Sequence, residues 1–391
     1  MNIHNHQLIE GEERAGIRLT AIDLFCGAGG LTEGLRQAGF KVLAGNDIDA
    51  LAGRTFENTH KDACFLPGPI EKISAQDFLG ATGLKSGDLD CLVGGPPCQA
   101  YSVYNHKRGM HDARSHLFVE YLRMVRGLKP KWIIIENVVG ILSAGAGAAK
   151  DAIINGLNEL GYEVEFRILK AEDYGVPQER RRVVFIGNRI GAQNIFPNKT
   201  HGVGLAPFTT IEDAISDLPP LENGGGLDRC GYLHKAKTPY QRLMREHSHV
   251  VLNHKAPKLS PINLKRMSHV PPGGSWRDIP VELLPEGMKR ARRCDHTKRY
   301  GRLSWSGLSS TILTKCDVHW GAYIHPEQDR AISVREAARI QSFPDWFEFI
   351  GSKTEQYVQV GNAVPPLMGK RIGEAVLKAT STLEASIGRL S

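Results

Sequence analysis

DLFCGAGGLTEGL, residues 23–35, sets Gly27, Gly29 and Gly30 between an apolar run and a helical pattern. The run LTAIDLF (19–25) reads as a buried strand, and LTEGLRQAG as the helix after the turn. The same alternation continues outward. FKVLAGN (40–46) is a second strand with a helix near DALAGRTFENT, and DLDCLVGG (88–95) is a third strand. In RSHLFVEYLRMVRGLKP (114–130), Leu117, Phe118, Tyr121, Leu122, Val125 and Leu128 share a helical face, with Pro130 as the stop. KWIIIEN (131–137), EVEFRIL (163–169) and RVVFIG (182–187) complete the strands, and AAKDAIINGLNELG (148–161) is a helix. Such alternation predicts an α/β fold, a mostly parallel sheet with helices on both faces that binds ligands at its strands' carboxyl ends.

After Gly187 the character changes. Residues 188–300 are rich in Pro, Gly, His and Arg, as in LPPLENGGG and HVPPGGSWRDIP, and predict a smaller, irregular or short-stranded domain. Helical patterns return in SVREAARIQSFPDWF (333–347) and in GNAVPPLMGKRIGEAVLKA (361–379).

The composition of the 391 residues, 41% hydrophobic and 23% charged, is that of a globular protein. No apolar run approaches the roughly 18–20 residues that span a bilayer. The polar, acidic start MNIHNHQLIEGEERAG is not expected to act as a signal peptide. The seven cysteines are odd in number and scattered, and none forms a CxxC pair. This argues against a disulfide framework or a metal site and for a reducing, intracellular (cytoplasmic) setting. The net charge of +7 is unevenly placed: from Asn188 to Arg302 there are 19 Lys+Arg against 10 Asp+Glu. That block is the footprint of a polyanion binder, or else a solvated basic face.

The glycine turn lets backbone N–H groups approach a ligand at a helix N-terminus. Its spacing is not G-x-G-x-x-G. At the end of the second strand, NDID supplies Asp47 and Asp49, and a carboxylate there can accept both hydroxyls of a ribose. Loop and acid together imply a nucleoside-bearing cofactor, with S-adenosylmethionine and NAD(P) both open beside a purely structural turn.

GGPPCQAYS (94–102) mounts Cys98 at the same edge of the sheet, in a loop stiffened by Pro96 and Pro97. With disulfide and metal roles disfavoured, Cys98 is packing or a nucleophile, and a nucleophile requires the thiolate. Glu136 ends a buried strand, where a carboxylate needs a partner or a task, if only to cap the next turn. In QERRRVV (178–184), Gln178, Arg180 and Arg182 share one face, for gripping oxygens or for meeting solvent.

Taken in order, these segments resemble the motifs of the DNA (cytosine-5) methyltransferases over nearly the whole chain. DLFCGAGG is similar to the family's cofactor loop, GGPPCQAYS to its catalytic loop, ENV (136–138) to its acid motif and QERRR to its arginine motif. RLSWSGLSSTILT (302–314) resembles the motif closing the recognition region, and VGNAVPPLMGK (360–370) the terminal motif. The resemblance implies a Rossmann-like catalytic domain over 1–187, completed by 355–391, with a target-recognition domain and hinge over 188–354. It implies catalytic roles for Cys98, Glu136, Arg180 and Arg182. It places S-adenosylmethionine against Phe25, Gly27, Gly29, Asp47, Ile48, Pro97, Asn362 and Val364. Ile48 stands where an aromatic often lies on the adenine, and Pro69-Ile70 where many relatives have an aspartate, with Asp62 as a substitute.

The substrate implied is cytosine in double-stranded DNA, methylated at C5 after base flipping by a monomer. Ser102, Arg277 and Arg302 are the DNA contacts expected, and a restriction-modification or phage-defence system the setting. A related branch acts on tRNA, but the long basic segment between motifs favours duplex DNA. A non-catalytic binder of the same fold is disfavoured by the intact Cys98, Glu136, Arg180 and Arg182.

Overall fold

The computed structural model describes residues 18–97 and 116–389. The first part runs β1 (Thr20–Leu24), α1 (Gly30–Ala38), β2 (Lys41–Asp47), α2 (Ala50–Thr59), β3 (Cys64–Pro67), α3 (Ala75–Thr82), β4 (Cys91–Gly94), α4 (His116–Leu128), β5 (Trp132–Val138), α5 (Ala148–Asn158), β6 (Glu163–Lys170), β7 (Gln178–Glu179) and β8 (Arg181–Asn188). Seven of these strands form one sheet, in the order β3-β2-β1-β4-β5-β8-β6. β1 pairs in parallel with β2 and β4, and β5 pairs in parallel with β4. Only β8 is reversed, because it is antiparallel to both of its neighbours, β5 and β6. The short connection from β6 to β8 allows that reversal, whereas parallel neighbours need a crossover of a dozen residues or more. Sequence order reverses at β1 and β4, which makes the crevice between their carboxyl ends the switch point where such sheets bind ligands.

The strands named from sequence all form. β4 and the first six residues of β5 are wholly buried, as expected of strands covered on both faces. β3 is not among the strands the periodicity predicts: it is a four-residue, half-exposed edge strand that runs into Gly68-Pro69.

The second part contains α6 (Ile211–Ile215), β9 (Gly226–Cys230), α7 (Pro239–Arg245), β10 (Val251–Lys255), α8 (Pro261–Met267), α9 (Glu286–Lys289) and β11 (Ser309–Ser310). β9 and β10 form an antiparallel pair and β11 pairs with β7, so this region is short-stranded. Its apolar residues Ile211, Val251 and Tyr323 belong to the same buried cluster as Val42 and Ile186 of the large sheet.

The last helices are α10 (Val334–Ile340), α11 (Lys353–Asn362) and α12 (Pro366–Ile387). The helical pattern at 333–347 stops early because Ser342 takes φ +63° and turns the chain. Every residue of α10 is buried, charges included. Arg339 pairs with Asp345 (2.6 Å) and Asp217 (3.0 Å), and Arg330 grips Glu336 with two hydrogen bonds of 2.7 Å.

α12 packs on α1 through glycines. A Cβ on Gly34 would stand 2.5 Å from Pro366 O and 2.7 Å from Gly369 Cα, and one on Gly373 2.8 Å from Ala38 Cβ. Gly34→Ala therefore sets a helix-propensity gain of about 1 kcal/mol against overpacking on backbone that cannot step aside, about 1–3 kcal/mol. Overpacking should win, and thermal denaturation should show a lower midpoint for the variant.

Candidate active site

The glycine loop is held in shape by strain and by one carboxylate. Phe25, directly after β1, has φ +58°, followed by Gly27 at +54° and Gly29 at +95°. A left-handed non-glycine residue costs about 1–3 kcal/mol and survives only where its surroundings impose it. Here Cys26 N–H donates to Asn46 O (3.0 Å) and Gly29 N–H to Cys26 O (2.9 Å). Asp47 accepts from Gly27 N–H on one oxygen and from Asp49 N–H on the other, both at 2.8 Å. The strand-end acid thus ties the loop to β2, and Asp49 caps α2 by accepting from the Leu51 and Ala52 N–H groups.

Gly29 and Gly30 are demanded by neighbours. A Cβ on Gly29 would lie 2.6 Å from His60 Nε2, and one on Gly30 2.5 Å from Val364 O. The second contact brings the terminal motif onto the start of α1. A Cβ on Gly27 would meet nothing within 4 Å, so that position faces open space.

That space is a cavity of about 890 Å³ between the ends of β1, β2, β4 and β5. Phe25, Gly27, Asp47, Ile48, Pro97, Glu136, Arg180, Arg182, Asn362 and Val364 all line it. Gly29 does not; its place is behind the loop, against His60. Cys98 and Ser102 lie outside the described residues, but Gly95, Pro96 and Pro97 bring the chain to the cavity wall. Asn137 Nδ2 donates to Pro96 O (2.9 Å) and anchors that loop, a role for the middle residue of ENV that sequence reading did not single out.

Glu136 faces the loop closely enough that a Cβ on Gly95 would stand 3.4 Å from its Oε2. Across the β5–β8 pairing, Arg182 sits diagonally on the same face, with Nε 2.8 Å from Glu136 Oε1. The pair is an ion pair without hydrogen-bond alignment, so that oxygen retains acceptor capacity. Arg180 is buried and committed to the protein: it donates to Ala363 O (2.9 Å) and, at 3.4 Å, to Gly361 O and Ile312 O. Its Nε alone has no partner, and burial pushes the guanidinium below its usual range.

Two further expectations are corrected. Arg302, expected to contact DNA, is 6% exposed, and its donors go to the carbonyls of Val270, Met267, His325 and Gln328 and to Asp329. No donor is left for a phosphate; this arginine holds loops together. Asp62 is paired with Arg36 at the surface (2.8 Å) and is absent from the cavity wall, where Glu71 stands beside Ile70. Arg277 is half-buried, and its carbonyl accepts from Arg293 (2.9 Å).

A glycine loop and an acid–arginine pair at the switch point of a doubly wound sheet define a Rossmann-like methyltransferase architecture. The family model of C-5 cytosine-specific DNA methylases matches residues 19–378. This chain belongs to that family and is a DNA cytosine-5 methyltransferase. It is 35% identical over 433 residues to the type II methyltransferase M.AgeI of Thalassovita gelatinovora, covering 93% of this chain and 100% of that protein. It is also 35% identical to the type II methyltransferase M1.HphI of Haemophilus parahaemolyticus, covering 92% of this chain and 87% of that one. The fold matches the crystal structure of S. pombe Dnmt2 methyltransferase with a TM-score of 0.55 at 16% identity, over 94% of this chain and 99% of the other. Among the described residues no helix is long and apolar enough to cross a membrane, and no group of three or more His, Cys, Asp or Glu could hold a metal.

Asp23 is the buried acid under the loop. Desolvation raises its pKa to about 7, reinforced by the charge of Asp47 and opposed by the hydrogen bond from Thr32 (2.7 Å). The folded chain keeps this proton up to about pH 7, whereas an unfolded aspartate loses it near 3.8. Stability from this group is therefore lost as pH rises from about 4 to about 7. Urea unfolding at pH 5 and 7.5 should show a smaller fall for Asp23→Asn, which is neutral throughout, than for the wild type.

Proposed function

We propose that this enzyme transfers a methyl group from S-adenosylmethionine to C5 of a cytosine flipped out of a specific duplex DNA sequence, through a covalent bond between Cys98 and C6. One observation carries the reading: a single cavity joins the glycine loop to the Glu136–Arg182 pair and to the stem of the Cys98 loop. Asp47, Asp49 and Glu71 line the glycine-loop side, and the lining arginines, Arg180 and Arg182, stand with Glu136. An acidic lobe favours a cationic nucleoside, such as a sulfonium, over the anionic pyrophosphate of NAD(P). Gly27 leaves the room a ligand needs, and Ile48 and Ile70 offer apolar walls for an adenine.

S-adenosylmethionine supplies an electrophilic methyl group. C5 of cytosine is too weak a nucleophile to take it unaided. Addition of the Cys98 thiolate to C6 makes the ring an enamine, and C5 then attacks the methyl carbon. Glu136 hydrogen-bonds the N3 edge and exocyclic amine of the base, and Arg182 orients Glu136 from the neighbouring strand. Arg180 positions the terminal motif, which carries Asn362 and Val364 to the cofactor side. A base removes the C5 proton, and the thiolate leaves. Flipping costs a few kcal/mol of lost stacking and pairing, and Ser102 with the basic run NHKRG (105–109) contacts the backbone as the loop closes. Residues 188–354 form the target-recognition region with its hinge. The type II relatives support a restriction-modification or phage-defence setting.

Duplex DNA containing 5-fluorocytosine should trap a covalent complex with the wild type and cofactor, and none with Cys98→Ala. An adduct in that variant, or none in the wild type, would remove Cys98 as the nucleophile. Glu136→Gln should lower turnover by about 100-fold and leave cofactor affinity by calorimetry unchanged. Tritiated methyl offered to plasmid DNA and total tRNA should label the DNA; label on tRNA alone would overturn the substrate.

A further inference from the structure

The segment after β11 carries the chain from the cavity wall to the surface. Arg180 donates to Ile312 O, and the Cβ position of Gly361, a cavity residue, lies 2.5 Å from the carbonyl carbon of Leu313. From there the loop exposes Leu313 and Lys315 and ends at Trp320, a residue 51% exposed. The loop is well tied: Cys316 N–H donates to Leu313 O (3.2 Å), Trp320 N–H to Asp317 O (2.8 Å) and Tyr300 N–H to Val318 O (2.6 Å). Trp320 is thus presented by a fixed backbone, at the expense of leaving much of a large apolar ring in water.

Two cations attend it. The Arg299 guanidinium lies 4.8 Å from the ring centroid and Lys315 Nζ 5.8 Å. Among the described residues neither cation forms an ion pair, and the nearby Asp317 is engaged by His319 at 2.6 Å. Lys298, next to Arg299, reaches within 3.9 Å of Glu179, which adjoins Arg180 in the arginine motif. Both cationic segments therefore flank the small β7–β11 ladder beside the cavity, Arg299 at the end of the basic block of the sequence and Lys315 beyond it. An exposed ring on a tied backbone, with cations that form no ion pair among the described residues, suits nucleic acid, where rings meet bases and cations meet phosphates.

We infer that Trp320, with Arg299 and Lys315, is a DNA clamp at the mouth of the active site: the indole packs on the bases beside the target cytosine and the cations take the flanking phosphates. This rests on the DNA-methylating function proposed above. The probes are a fluorescent duplex carrying the site that bisulfite sequencing identifies and a scrambled duplex, titrated by anisotropy between about 50 and 200 mM salt. Trp320→Ala should weaken binding of the cognate duplex about tenfold, and Trp320→Phe should recover part of it. Arg299→Ala and Lys315→Ala should weaken both duplexes alike and each reduce the salt slope by about one. Calorimetric cofactor affinity and thermal midpoint should match the wild type in all four variants. Wild-type affinity and salt slope throughout would overturn the clamp. So would loss of cofactor binding in Trp320→Ala alongside full duplex binding by the two cation variants. A wild type that transfers no methyl to DNA would instead overturn the proposed function.

Discussion

The contact between α1 and α12 is the constraint on which the active site depends. Gly34 and Gly369 let the two helix backbones touch, and Gly30 lets the start of α1 meet Val364 O. Side chains at these places would push the helices apart, and the segment 361–364 would leave the cavity. Residues more than 300 positions apart then no longer share a wall. The glycines that look like loop flexibility in sequence serve, in part, as clearance between rigid elements.

The arginines divide the labour of the molecule. Arg180, Arg302, Arg330, Arg335 and Arg339 are buried and spend their donors on carbonyls and carboxylates. A planar guanidinium with five donors can fasten several loops at once, which a lysine cannot do. They make α10 and its surroundings a rigid, polar-cored joint between the sheet and the basic region. Arg182 stands apart because it meets Glu136 at the cavity wall.

Much of this was legible in the sequence. Six strands, the order of the motifs and nearly every cavity-lining candidate follow from periodicity, punctuation and resemblance. Gly29 was named for the cofactor and instead makes room for His60, a packing role that no local pattern announces. Arg302 and Asp62 were misplaced for one shared reason. A charged side chain reads identically whether it meets solvent, a ligand or a buried partner, and only neighbours distant in sequence decide which. Asn137 stands inside the ENV motif, but its role in anchoring the Pro96 carbonyl depends on the fold, and Glu71 carries no signal of its own.

By itself the sequence determined the sheet, the glycine loop at its edge and the family, because strand periodicity and motif order are local properties of the chain. The tertiary structure decided which charges face the cavity, which glycines are clearances and which basic residues remain free. Those outcomes depend on packing between α1 and α12 and between the sheet and α10, contacts that close only when distant segments meet.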